Sequence, residues 1–99
     1  IDGTLITQHI VKSTAPTFPA DQWVAIEIEV QGNEQVIHRV RGKDVLRYQH
    51  PQLDPKGRVE SAEPLLQAGS PLQLNSGFIA LQAEGQPVWF RKIELQQLD

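Results

Sequence analysis

The sequence predicts an all-β fold, an antiparallel β-sandwich, on three observations. Apolar and polar residues alternate with period two along much of the chain, the spacing of a half-buried strand. No stretch carries an apolar stripe at i, i+3, i+4, i+7 over helical length. Gly, Asn and Pro interrupt the alternating runs at short intervals, as connections between antiparallel strands require.

Leu5 to Val11 forms the first candidate strand, and the two prolines of Ser13-Thr14-Ala15-Pro16-Thr17-Phe18-Pro19 end it, because proline cannot donate to a ladder. From Gln22 to Gln31 the alternation is clear. Val24, Ile26, Ile28 and Val30 share one face, expected to be buried, and Trp23, Ala25, Glu27 and Glu29 share the other. Gly32-Asn33 tolerates positive φ and leads into a second strand from Gln35 to Arg41. Gly42-Lys43 repeats the device before a third strand, Asp44 to His50, closed by Pro51. The three strands read as a meander. Residues 51–76 mix Pro, Gly, Asp, Ser and Gln with two short leucine pairs and read as a long irregular loop. Phe78 to Ala83 is the next strand, and Glu84-Gly85-Gln86-Pro87 is a turn. In the last strand Val88 and Phe90 have one parity and Ile93 and Leu95 the other. Both pairs reach one core only if a residue bulges near Arg91-Lys92.

The 99 residues suffice for one domain segment, residues 1–99, with no second core. An apolar fraction of 39% with 21% charged residues is globular. The formal charge of −3, with scattered cations, supplies no footprint for nucleic acid. No apolar run has the length of a membrane span, so no membrane contact is expected. The chain has no cysteine, which removes disulfides, thiolate metal sites and a cysteine nucleophile. Its three histidines match no metal spacing, and no metal or other cofactor is assigned. The Walker loop, the dinucleotide fingerprint and the G-x-S-x-G elbow do not occur. The absence of methionine, even at position 1, is expected of a processed product or a segment of a longer protein. A sandwich also needs a second sheet over the Val24, Ile26, Ile28 and Val30 face, so this chain reads as an incomplete half of such a domain.

The run from Gly77 to Leu98, GFIALQAEGQPVWFRKIELQQL, resembles the closing hairpin of the 3-keto-disaccharide hydrolase domain family, also called DUF1080. Gly77, Ile79, Leu81, Gln82, Gly85, Val88, Phe90, Arg91, Ile93, Leu95 and Leu98 meet its pattern, and Lys92 stands where the family has asparagine. Trp23, Glu27, Ile28 and Gly32 match the family's W-x-x-x-E-I-x-x-x-G. His38, Val40 and Gly42 match H-x-V-N-G, with Arg41 in place of the asparagine. The family's opening F-N-G-x-D-L-x-G-W segment has no counterpart here. The resemblance implies a concanavalin A-like jelly roll of which this chain is the C-terminal half, with the N-terminal half of the same domain as its partner. It implies a carbohydrate ligand, a hydrolase or lyase acting on a glycoside such as a 3-keto-disaccharide, and a periplasmic or extracellular location.

Within that reading the site candidates are Glu84 and Glu27 as acid and base, and Trp23, Gln82, Arg91 and His38 as sugar contacts. Glycoside chemistry commonly uses two carboxyl groups across a sugar. Glu27 and Glu29 lie about 7 Å apart on one strand face, beside Trp23, whose indole suits stacking on a sugar ring. The plain alternative is a solvated strand face with one amphipathic aromatic. Gln82 and Glu84 share a parity at the start of a turn, and Glu84 occupies a place where the family often has histidine. Arg91 offers a fork for a carboxylate or a hydroxyl; alternatively it pins the last strand through a salt bridge. His38 has the parity of Val36 and Val40, which suggests a hydrogen-bonded, partly buried histidine rather than a proton shuttle. Two further functions remain open: a lectin-like module binding glycans through the Trp23 face, and a structural half-sandwich with its chemistry elsewhere.

Overall fold

A computed structural model of the chain describes residues 1–8, 10–54, 62–69 and 71–98. His9 and most of the first part of the 51–76 loop lie outside the described residues. The chain is all-β, with one open antiparallel sheet of three strands in the order β1 (Ile26–Gln31), β2 (Gln35–Val40) and β3 (Lys43–Tyr48). Among the described residues of the 51–76 segment lies one short helix, α1 (Ala62–Gln67). Pro64 is in its first turn, where a missing N–H costs nothing. Gly69, at φ 87°, takes the left-handed conformation that ends it.

The meander forms where the alternation and the turn residues place it. Glu34 N–H donates to the Gln31 carbonyl at 2.9 Å across the first connection. The second connection is tighter. Val40 pairs directly with Lys43, and both intervening residues have positive φ, Arg41 at 52° and Gly42 at 81°. Positive φ at both central positions is the requirement of a type I′ hairpin turn, whose twist matches that of the strands. The turn therefore lies one residue earlier than Gly42-Lys43.

The β2–β3 register shifts between His38 and Arg39: His38 faces Leu46, whereas Arg39 faces Asp44. Val45 is the additional residue, so β3 carries a β-bulge. The freed Val45 carbonyl accepts from Thr14 N–H at 2.8 Å and Thr14 Oγ1 at 3.3 Å, which ties the Thr14–Phe18 segment to the sheet. Val36, Ile37 and Val45 are the buried apolar residues among those described, Val36 and Ile37 on opposite faces of β2.

The face carrying Ile26, Ile28 and Val30 differs from its expected burial: Ile26 is 69% exposed, and all three remain accessible. No second layer packs on them among the described residues, which leaves the sheet as one open layer. The described residues of the candidate strands at Leu5–Val11, Phe78–Ala83 and 88–95 run outside the sheet. A strand persists only where its N–H and C=O groups find a ladder partner, and the described residues supply none. The expected kink near Arg91-Lys92 has a backbone counterpart, since Lys92 lies at φ 51°. It is a left-handed residue in an unpaired run; the bulge within a ladder is at Val45 instead. Arg41 and Lys92 both stand where the resembling family has asparagine, the non-glycine residue that best tolerates this conformation.

Asn33 joins the first connection to both ends of the 51–76 segment. Its Nδ2 donates to the carbonyls of Pro51 at 3.0 Å and Leu74 at 2.7 Å. Its own carbonyl accepts from His50 N–H at 3.1 Å, and its Oδ1 lies 3.1 Å from His50 Nδ1. Leu53 N–H to Leu72 O at 2.8 Å and Leu74 N–H to Pro51 O at 2.9 Å close the neck of the loop. Asn33→Ala leaves the Leu74 carbonyl and His50 Nδ1 without this side chain as partner and is expected to lower unfolding free energy by about 1–3 kcal/mol, measured by urea denaturation. Lys92→Asn, which keeps the left-handed backbone and relieves its strain, is expected to raise stability by a few tenths to about 1 kcal/mol in the same measurement.

Candidate functional site

One face of the sheet carries an ion network assembled by strand register. Glu27 on β1, Arg39 on β2 and Asp44 on β3 are direct cross-strand partners in a row. Arg39 Nη1 donates to Glu27 at 2.6 Å, and Arg39 Nε donates to Asp44 at 2.7 Å. Glu29 is two residues further along β1, within diagonal reach of a long side chain, and takes a second bond from Arg39 Nη1 at 2.9 Å. Arg47 holds the other Asp44 oxygen at 2.9 Å, and Gln31 Nε2 donates to Glu29. Three carboxylates thus surround one guanidinium, whose fork of donors suits more than one acceptor.

The electrostatics follow from these contacts. The Gln31 amide and the Arg39 guanidinium hold the Glu29 carboxyl below its ordinary range. Arg39 and Arg47 do the same for Asp44. The hydrogen bonds from Glu27, Asp44 and Glu29 raise the Arg39 pKa further above its already high value. Every group here is partly or largely exposed, so solvent and salt screen the attraction. Its main effect is to specify which residues face one another across the three strands.

On the opposite face, His38 Nε2 lies 3.0 Å from Tyr48 Oη, with the two rings edge to face at a centroid separation of 5.3 Å. Burial pushes the Tyr48 phenol up. His38 is therefore a part-buried partner of Tyr48, on the face away from Glu27 and Arg39, in keeping with its parity with Val36 and Val40.

Of the other candidates, the structure brings two together. The guanidinium carbon of Arg91 lies 4.0 Å from the Trp23 ring centroid, a cation–π stack. Trp23 remains 51% exposed, and Arg91 has no ion-pair partner among the described residues. The salt-bridge alternative for Arg91 is thus replaced by an aromatic contact that links the C-terminal run to the residues just before β1. Trp89, next but one to Arg91, is 83% exposed. Gln82 and Glu84 are exposed beside the turn at Gly85, whose φ is 78°, and they form no hydrogen bond or ion pair with described residues. Glu27 stands apart from them in its contacts, because Arg39 holds its carboxylate. Arg39 is the residue that the sequence reading passed over. Its signal was present in the strand pattern: a cation whose parity matches that of Glu27 and Glu29 once Gln31 is paired with Gln35. No group of three His, Cys, Asp or Glu side chains among the described residues is placed to hold a metal ion. No helix among them is long and apolar enough to cross a membrane.

An open antiparallel sheet, with an arginine–tryptophan stack joining its flanking runs, defines a β-sheet domain of the kind that builds sandwiches. The profile of the 3-keto-alpha-glucoside-1,2-lyase-like domain matches residues 2–96, nearly the whole chain. The chain belongs to that family. Searches of curated proteins and of solved structures gave no match.

The ion network makes a signed prediction about pH. Carboxyls whose folded pKa is depressed contribute stability that is present above their unfolded pKa and lost as pH falls through the folded value. With Glu29 and Asp44 both depressed, the urea midpoint is expected to hold from neutral pH to about 5 and to fall below about pH 4, near the ordinary carboxyl range. Arg39→Met is expected to lower the midpoint at pH 7 and to flatten its decline between pH 5 and pH 2.

Proposed function

We propose that this chain is part of a carbohydrate-active enzyme that cleaves 3-keto-glycosides, with the sugar seated against Trp23 and Arg91. The observation that carries the reading is the stack itself. Arg91 caps one face of the half-exposed indole, the accessible part of the ring offers apolar surface for the C–H face of a pyranose, and the guanidinium has no ion-pair partner among the described residues. Membership of a 3-keto-alpha-glucoside-1,2-lyase-like family supports a 3-keto-glycoside as the substrate.

The chemistry needs little from the protein. A carbonyl at C3 acidifies the proton on C2, and the aglycone at C1 is then β to that carbonyl. In this reading Glu84 takes the C2 proton, and the electron pair moves onto the C3 oxygen as an enolate. That pair then forms the C1–C2 double bond as the C1–O bond breaks. The aglycone leaves with the bonding electrons and takes a proton from solvent. Water addition across the new double bond completes a net hydrolysis, so lyase and hydrolase outcomes share one first step. Arg91 stabilises the enolate oxygen, a charge that develops only during reaction and therefore gains most from a fixed cation. Gln82 contributes an amide to sugar hydroxyls. Glu27, held by Arg39, supports the sheet whose first strand Trp23 shortly precedes. We place this activity in the periplasmic or extracellular space, with the N-terminal half of the domain completing the groove.

The test is aglycone release from a chromogenic 3-keto-α-glucoside by the full-length protein. Turnover is expected, and Arg91→Met is expected to lower kcat/KM by about 10²–10³-fold, the scale of losing one donor to a developing oxyanion. Trp23→Ala is expected to act mainly on KM. Folded protein with no turnover would sink the enzymatic reading. Saturable sugar binding lost in Trp23→Ala, with no product, would favour the lectin-like module, for which the exposure of Trp23 and Trp89 is the supporting observation.

A further inference from the structure

A cavity of about 350 Å³ lies at the β2–β3 hairpin tip, apart from the Trp23–Arg91 stack. Pro16 and Phe18 from the preceding segment and Val40 and Val45 from the strands give it apolar walls, and the exposed cations Arg41 and Lys43 also line it. Its volume is at the small end of the range for small-molecule pockets. Two features of the fold build it. The bulge frees the Val45 carbonyl, and Thr14 docks there through two bonds, which sets the distance of the Pro16–Phe18 wall from the sheet. The type I′ turn holds Arg41 in a left-handed backbone, and the Arg41 guanidinium stacks at 4.4 Å from the Phe18 ring centroid.

We propose that this cavity is a binding site for a small organic carboxylate, separate from the glycoside site. The charges select the ligand. Asp44 also lines the cavity, but both its oxygens are engaged by Arg39 and Arg47. Arg41 and Lys43 have no carboxylate partner among the described residues, whereas Arg39 and Arg47 on the same hairpin are both paired. With Asp44 so engaged, Arg41 and Lys43 leave two uncompensated cations at the cavity, in a chain whose net charge is −3, which favours an anionic ligand. A guanidinium offers a carboxylate two parallel N–H donors, and Pro16, Phe18, Val40 and Val45 offer apolar contact to the carbon body of the ligand. Arg41, a non-glycine residue at φ 52°, is a strained position that carries a charge into the pocket. Uronic acids and simple aliphatic or aromatic acids share the required chemistry.

The experiment is an amide-resolved NMR titration of the 99-residue chain with D-glucuronate, acetate, benzoate, inorganic phosphate and the neutral control D-glucose. Saturable shifts confined to Arg41, Lys43, Val45 and the Thr14–Phe18 segment are expected with glucuronate or benzoate, weaker ones with acetate, and none with glucose. Arg41→Asn keeps a residue suited to the turn while removing the cation, and Lys43→Gln removes the other. Each is expected to weaken binding about tenfold or more, the worth of a charge-assisted contact. Unchanged amide shifts at Val36 and Ile37 report that the sheet is intact. Four results would overturn the site: no saturable shift with any carboxylate, equal shifts from glucose, tighter binding of phosphate, or full affinity in both variants with the sheet intact. Tight binding of glucuronate but not benzoate identifies a uronic acid as the ligand; the reverse identifies an aromatic acid.

Discussion

The structure depends on one side chain, Arg39, which ties all three strands together. Its guanidinium reaches Glu27 and Glu29 on one neighbour and Asp44 on the other. A sheet of three short strands with an accessible apolar face has few contacts to fix its register, and a slip by one residue would invert every side chain. The network acts against that slip, because only one register sets the carboxylates around the cation. The bulge at Val45 is part of the same constraint. Without the additional residue, Val45 would oppose Arg39 and the Asp44 carboxylate would not be its cross-strand partner. The bulge also frees the carbonyl that captures Thr14, so one local irregularity serves the ion network, the docking of the N-terminal segment and the cavity at the hairpin tip.

Function follows from what this scaffold holds and what it leaves available. Glu27 and Glu29 satisfy Arg39, which makes them parts of the sheet. Trp23, a few residues before β1, and Arg91, in the C-terminal run, meet in a stack that leaves the indole half exposed. Glu84 and Gln82 stand on the same C-terminal run as Arg91 and form no hydrogen bond or ion pair with described residues. The division between engaged carboxylates on the sheet and an unengaged one beside a turn is the physical basis for proposing Glu84 as the proton acceptor.

The sequence made the meander legible because alternation and positive-φ residues are local signals. The strands lie within a few residues of their expected bounds. The type I′ turn was offset by one, since Arg41 disguised a position that asparagine usually marks. The bulge at Val45 was not legible: Lys43-Asp44-Val45-Leu46-Arg47-Tyr48 supports either register, and only the tertiary partners Arg39 and Thr14 decide it. The runs at 5–11 and 78–95 show strand periodicity yet stay out of the sheet, because period records which side chains share a face and says nothing of whether a ladder partner exists. Membership of the family was legible from the Gly77 to Leu98 pattern. The contact between Trp23 and Arg91 was not, since the two were chosen for their chemistry from opposite ends of the chain. The two family asparagines replaced here by Arg41 and Lys92 regain a common meaning in the structure. Both positions lie in the left-handed region, so asparagine's backbone tolerance is the property they share.

The claim that the sheet carboxylates are scaffold and the turn carboxylate is catalytic is tested most directly by comparing Glu27→Gln with Glu84→Gln in the full-length protein, reading both kcat on a 3-keto-α-glucoside and the urea midpoint. The account predicts that Glu84→Gln lowers kcat by about 10²–10⁴-fold, the range for a lost acid–base group, at an unchanged midpoint. Glu27→Gln should lower the midpoint and leave kcat within a few-fold. Loss of kcat in Glu27→Gln with its fold intact, alongside near-normal turnover in Glu84→Gln, would contradict it.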